Sequence, residues 1–265
     1  MCQNMRADCL TMAKAAGKQG FHFGAVLSLI EIMAVLYGKV VKMDFNNPIW
    51  EERDRVILSK GHGVPAYYAV LHQMGIISDE DLDTFKTDNT IFYGHPSMNQ
   101  NLGIEVATGS LGQGLSLGVG IALALVSKKN ASSRVFVILG DGECNEGSVW
   151  EAAMSAVKYH LKNITVIIDC NGLQYDGETS SVMPLDALET KWSSFGWSVS
   201  RINGHNEEAC YEALKKASDR PQVVIANTIK GKGISFMENN YIWHHGIMTK
   251  AQEEQAWKEV MGDAD

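Results

Sequence analysis

Apolar positions along the chain follow two different spacings. Met5, Leu10 and Met12, then Leu27, Ile30, Met33, Ala34 and Leu36, recur at helical spacing, and Asn46, Asn47 and Pro48 break the pattern after them. Two helices are therefore expected to open the chain. Beyond them short β-branched runs return at Arg55 to Leu58, Val135 to Leu139, Ile164 to Ile168, Trp197 to Ile202 and Val223 to Asn227. Between the last four lie amphipathic stretches, Ser148 to His160, Leu185 to Phe195 and Glu207 to Ala217, each long enough for a crossover helix. This repetition predicts an α/β fold, a doubly wound, mainly parallel sheet with helices on both faces. The runs at 135–139 and 164–168 lack polar alternation, as strands covered on both faces must, and belong near the sheet centre.

No repeat, low-complexity tract or linker interrupts the pattern, so residues 1–265 read as a single domain. A hydrophobic share of 45% against 20% charged residues is enough to build its core. Lys plus Arg is 23 against 31 for Asp plus Glu, a net charge of −8, which speaks against nucleic acid or an anionic membrane as the main partner. Any bound anion then needs a local site. The longest apolar run, Val135 to Leu139, falls far short of the ~20 residues of a membrane span, and no basic-then-apolar signal pattern opens the chain; the expected location is cytoplasmic. Cys2, Cys9, Cys144, Cys170 and Cys210 are scattered without a Cys-x-x-Cys pair, so free thiols are expected.

Two connecting segments exceed what plain connection needs: Asn171 to Pro184, and Gly231 to Met248. In an open α/β sheet such loops gather at the carboxyl ends of the strands, where ligands bind. The strongest chemical signal lies there. Leu139-Gly140-Asp141-Gly142-Glu143 leaves one buried strand, and Asp169-Cys170-Asn171-Gly172 ends the next, with Asp141 and Asn171 30 positions apart. One strand-helix-strand unit brings both to neighbouring strand ends. A carboxylate and an amide oxygen there suit a hard cation such as magnesium or calcium, and Gly142 lets the backbone approach a diphosphate. Alone, Gly-Asp-Gly reads as a capped turn; the Asn at this spacing favours the cation.

These residues resemble the thiamine diphosphate signature, and "GDGECNEGSVWEA" at 140–152 resembles the transketolase family in particular. Further matches in the same order are "RDRVILSKGHG" (53–63), "GHP" (94–96), "TGSLGQG" (108–114) and "KGKGISFMENNYIWHHG" (230–246). The resemblance implies a thiamine diphosphate-binding fold. It implies that Asp141, Asn171 and the carbonyl of Leu173 hold Mg2+, or Ca2+ or Mn2+, and that Gly142 and Asn171 lie against the diphosphate. His62 and His245 would contact the diphosphate as well, while His22, His95 and His245 would line the sugar channel and move protons on substrate hydroxyls. His244 is ambiguous beside His245, which directly precedes Gly246. Gly109 and Leu111 would lie near the thiamine rings, and the glycine-rich segment 108–120 would lead into a helix at a subunit interface. Glu146 is expected by the cofactor and, with Glu151, in a carboxylate network between subunits. Lys230 to Lys232 reads as a flexible active-site loop, two lysines amid glycines being weak evidence for phosphate binding.

One departure from the family stands at Gly20-Phe21-His22-Phe23-Gly24, where Phe21 replaces a glycine and Phe23 adds bulk. Either the channel is reshaped or both rings are simply buried. The resemblance also covers only the diphosphate-binding half of such enzymes. The expected enzyme is therefore a split transketolase, two copies of each subunit, whose partner chain supplies the pyrimidine-binding domain and its glutamate. Its reaction would transfer a two-carbon ketol unit from a ketose phosphate to an aldose phosphate. A deoxyxylulose phosphate synthase-like enzyme and a 2-oxo acid dehydrogenase component share this cofactor half but match "SKGHG" and "FMENN" less well. A non-catalytic nucleotide-binding regulatory module is the alternative of another class, disfavoured because no dinucleotide-type glycine fingerprint follows a strand.

Overall fold

Val135 pairs with Ile164 and Gly140 with Asp169, the register that sets the rest of the sheet. The computed structural model describes residues 1–128, 132–185 and 187–262. Its strands are β1 (Arg55–Leu58), β2 (Val135–Gly140), β3 (Ile164–Cys170), β4 (Ser198–Asn203) and β5 (Gln222–Asn227). All pair in parallel in the order β1-β2-β3-β5-β4, so the two unalternating apolar runs are internal strands, as expected.

The faces alternate residue by residue. Ile57, Val137, Leu139, Val166, Ile168 and Ile225 pack against the helices Gln113–Ser127, Gly147–Lys158 and Leu188–Ser194. Val56, Leu58, Phe136, Ile138, Ile167 and Val224 pack on the other face, under the helices Cys2–Ala16, Val64–Gln73, Glu207–Lys215 and Lys250–Met261. The steps from β1 through β3 and out to β4 run one way across the sheet, while the return from β4 to β5 runs the other way. A right-handed crossover must then change face, which is why Glu207–Lys215 lies opposite the earlier crossover helices.

Several expected boundaries move, three of them with consequences. The second opening helix is broken into Phe23–Leu27 and Ile30–Val35, and at the break the Ser28 hydroxyl donates to Asp169 Oδ2 at 2.5 Å, turning a local element toward the end of β3. The crossover expected from Leu185 forms its helix only over Leu188–Ser194; Asp186, in that span, lies outside the described residues. The helix expected to run to Ala217 ends at Lys215. Among the described residues no helix is long and apolar enough to cross a membrane.

The glycines of 109–118 permit close approach, as their composition suggested. A Cβ on Gly118 would sit 2.5 Å from Val137 Cγ2, so the helix Gln113–Ser127 lies almost against β2. Gly120 differs: a Cβ there meets nothing within 4 Å.

Candidate active site

The carboxyl ends of β2 and β3 carry the centre of the site. Asp141 follows β2 directly, and its N–H donates to the Asp169 carbonyl at 3.2 Å, extending the ladder by one bond. Its carboxylate accepts from the Gly142 N–H at Oδ1 (2.8 Å) and the Gly172 N–H at Oδ2 (2.6 Å). Gly172 adopts φ +75°, a left-handed conformation that glycine reaches without strain and that aims its N–H at Asp141. Asn171 Oδ1 accepts from the Leu173 N–H at 3.1 Å while its Nδ2 faces Asp169 Oδ2 at 3.4 Å, which fixes the side of the amide that carries oxygen. Burial, and then repulsion from Asp169, push the Asp141 carboxyl above its ordinary range, against the pull of the two amides and Lys60.

Asp169 itself is fully buried and pairs with the Lys60 ammonium, with Ser28 and Thr228 hydroxyls also donating to it. Burial opposes its ionisation, yet Lys60 and these donors hold it below the usual carboxylate range. Lys60 and Asp169 thus neutralise each other, and Asp141 is left as a buried carboxylate with no ion-pair partner of its own among the described residues. Asp141 with the oxygens of Asn171 and Leu173 makes a hard oxygen donor set, and a divalent cation would relieve the cost of burying that charge. The residues fit such an ion. No group of three or more His, Cys, Asp or Glu side chains among the described residues forms a metal cluster, so the fit rests on this mixed set.

Above these oxygens opens a cavity of about 510 Å³. His22, His62, His95, Gly109, Leu111, Asp141, Gly142, Glu146, Asn171 and Leu173 all line it, as their motifs led us to expect. His245 does not; it sits just behind, its ring centroid 4.5 Å from His22, while His244 takes the lining position, stacked on His62 at 5.1 Å. Glu146 and Glu151 are both exposed.

The histidines form one cluster, with His22 5.7 Å from His62, 5.9 Å from His95 and 5.8 Å from His244. Burial, then the neighbouring His245, pull His22 down to about 3; burial, then the Lys230 ammonium, do the same to His244. Burial with Lys60 beside it carries His62 well down, and burial with Lys86 lowers His95 and His245. At neutral pH these rings are neutral imidazoles, each able to accept a proton at one nitrogen.

Phe21 and Phe23 are both buried, and their alternative is settled by packing. Phe21 meets Phe23 at 4.8 Å and Phe85 at 5.7 Å, and Phe23 meets Trp243 at 5.6 Å. The two rings anchor the backbone on either side of His22 and do not line the cavity. Phe21 also exchanges two backbone hydrogen bonds with Gly246, at 2.9 and 3.0 Å, which hold His245 against His22.

The reading of 230–232 as a flexible loop is corrected. Lys230 is 2% exposed, and its Nζ donates to the Leu173 carbonyl at 2.9 Å and to His244 Nδ1 at 3.1 Å. Burial, and repulsion from Lys60, pull its ammonium down to about 8. A cation buried beside the donor set cannot be a solvated loop residue. Two more residues of the site lie inside the sequence motifs but outside the expected site residues: Lys60, in "SKGHG", and Glu143, which follows Gly142. Buried Glu143 accepts from the Ser59 hydroxyl, from the Gly112 N–H at 2.9 Å and from the Gly140 N–H at 3.1 Å, tying three segments around the cavity. A larger hollow, about 680 Å³, lies elsewhere along Arg53, Arg55, Glu105 and Ile121, but Arg53 and Arg55 are spent on Glu105 and on backbone carbonyls.

A family model described as "Transketolase, thiamine diphosphate binding domain" matches residues 2–264. The chain is 43% identical over 253 residues to a 6-deoxy-6-sulfo-D-fructose transketolase subunit of a Clostridium species, covering 94% of this chain and 90% of that one. It is 41% identical over 242 residues to an apulose-4-phosphate transketolase subunit of Phocaeicola vulgatus, covering 90% and 85%. The solved transketolase of Leishmania mexicana superposes with a TM-score of 0.90 at 27% identity, over 98% of this chain and 40% of that one. The chain thus spans about two fifths of that transketolase's length.

Proposed function

The chain belongs to the transketolase family, through its thiamine diphosphate-binding domain, and on that premise we propose that it is the diphosphate-binding subunit of a two-chain enzyme. The enzyme moves a two-carbon ketol unit from a ketose phosphate, or a ketose with another terminal anion, to an aldose phosphate. The observation that carries the reading is that Asp141, Asn171 and Leu173 line one cavity together with His22, His62, His95 and His244. The two-chain arrangement is supported by relatives named as subunits, of which this chain covers 85–90%. A separate chain supplying the pyrimidine-binding domain, and two copies of each, complete the assembly.

When bound, thiamine diphosphate supplies a carbon nucleophile that takes up and passes on the two-carbon unit. This chain's part is to bind, orient and handle protons. Asp141, Asn171 and the Leu173 carbonyl would hold the divalent ion, Gly142, His62 and Lys230 would bind the diphosphate, and Gly109, Leu111 and Glu146 would border the rest of the cofactor. The one unprotonated ring nitrogen of each of His22, His95 and the His244–His245 pair would accept from a sugar hydroxyl and hand its proton back; the low proton affinity of His22 and His244 keeps them neutral at pH 7 and makes them weak bases that release a proton readily.

Co-expression with the candidate partner chain, followed by product analysis on ketose and aldose phosphates, tests the proposal. Ketol transfer that needs both chains, thiamine diphosphate and a divalent ion is the expected result. Turnover of xylulose 5-phosphate and ribose 5-phosphate by this chain alone at enzyme-like rates would contradict the two-chain arrangement.

A further inference from the structure

We propose that His205, backed by Glu31 and Arg6, is a positioning residue that fixes the backbone of 229–232 and so presents Lys230 to the cavity. The inference rests on the reading of that cavity as the thiamine diphosphate site. None of the three residues lines it. The Ile229 N–H donates to His205 Nε2 at 2.8 Å, so the ring's proton is on Nδ1, which lies 2.8 Å from Glu31 Oε2 and donates to it. The other Glu31 oxygen accepts from Arg6 Nη2 at 2.5 Å, and Arg6 Nε donates to the Lys232 carbonyl at 3.1 Å. One chain of hydrogen bonds therefore grips the segment at both ends, Ile229 and Lys232, with Lys230 between them.

All three side chains are largely buried, 10–13% exposed. Glu31 is held below the usual carboxylate range against its burial by His205 and Arg6, so the network is charge-satisfied at neutral pH. Its residues come from the helices Cys2–Ala16 and Ile30–Val35 and from the turn after β4. Three separate parts of the fold thus converge on a segment that touches none of them through its functional side chain. Lys230 has to reach 2.9 Å from the Leu173 carbonyl while buried, and a small rotation about Ile229 would swing its long side chain out of that contact. Gly231 allows little slack, because a Cβ there would lie 2.6 Å from the Met237 carbonyl carbon.

The test compares His205→Gln, whose side-chain oxygen can still accept from the Ile229 N–H, with His205→Leu, which cannot, in the protein purified with its partner subunit. Affinity for thiamine diphosphate with Mg2+ and hydrogen exchange of the 229–233 amides are both read. His205→Leu is expected to lose about tenfold or more in affinity and to exchange faster at 229–233 while β2 and β3 keep their protection; His205→Gln is expected to restore both. Wild-type affinity and exchange in His205→Leu, or equal damage in His205→Gln, would overturn the proposal. If His205→Leu does not fold, Glu31→Gln takes its place, with the same local acceleration expected and unchanged exchange counting against it. Failure of the wild type to bind thiamine diphosphate would overturn the cofactor reading instead, and the exchange comparison would still decide the role of His205.

Discussion

The Gly172 N–H donates to Oδ2 of Asp141 across 2.6 Å, joining the end of β3 to the end of β2. This bond orients a carboxylate that has no ion-pair partner among the described residues, since the neighbouring Lys60 is committed to Asp169. The fold thus stores a buried negative charge where a cation and an anionic cofactor can use it.

Asp141→Asn should therefore leave the cofactor-free protein as stable as wild type or more so. The variant removes a charge that burial and Asp169 already disfavour, and keeps an oxygen to accept one of the two amide bonds. Urea unfolding without cofactor measures this, and a large loss of stability would show that the carboxylate is structural.

Lys60→Met should act in the opposite sense. It leaves Asp169 buried and unpaired, a change that costs about 3–5 kcal/mol. Adding Asp169→Asn to it should recover most of the loss, because it removes the unpaired buried charge; of the Ser28 and Thr228 hydroxyls, which donate to different Asp169 oxygens, one keeps an oxygen to donate to and the other can rotate to accept from the new amide. The same unfolding experiment on both variants checks the pair.

Glycine contacts give a paired prediction within one helix. A Cβ on Gly114 would lie 2.8 Å from Ser59 Cα and closer still to its Cβ, so Gly114→Ala should destabilise by about 1–3 kcal/mol. Gly120→Ala meets open space and should stabilise this chain alone by up to about 1 kcal/mol through helix propensity. Thermal denaturation of the two variants separates them, and if Gly120 lies in a subunit interface the second gain reverses in the assembled enzyme.

Stability should fall on acidification below pH 6.5. His22 and His244 are lowered to about 3 in the folded protein, so between that value and the ordinary 6.5 the unfolded chain binds more protons than the folded one. Their contribution is fully present above pH 6.5 and is lost as pH falls toward 3. Denaturation at several pH values should show this slope, and His22→Ala should flatten it.

The sequence made the sheet and the metal-side motif legible because both are local. Val135 to Leu139 and Ile164 to Ile168 are uniformly apolar, and the position of Asp141 and Asn171 follows from strands that end in register. The ion pair of Lys60 with Asp169 was not legible, since its partners lie 109 positions apart and neither carries a spacing signal. The choice between His244 and His245 depends on the backbone of the turn Tyr241–His244, which turns adjacent side chains to different sides. Phe21 and Phe23 left two readings open because ring packing against Phe85 and Trp243 is a tertiary fact. Lys230 read as part of a flexible loop because its anchors, the Leu173 carbonyl and His244, lie 57 and 14 positions away and carry no local signal.

Calorimetric titration of thiamine diphosphate into the protein, with and without Mg2+ and with Asp141→Ala alongside, tests the central claim most directly. The account predicts saturable binding that requires Mg2+ and is lost in Asp141→Ala. Thiamine diphosphate binding unchanged in that variant, or Mg2+-independent binding of an adenosine nucleotide in place of thiamine diphosphate, would contradict it.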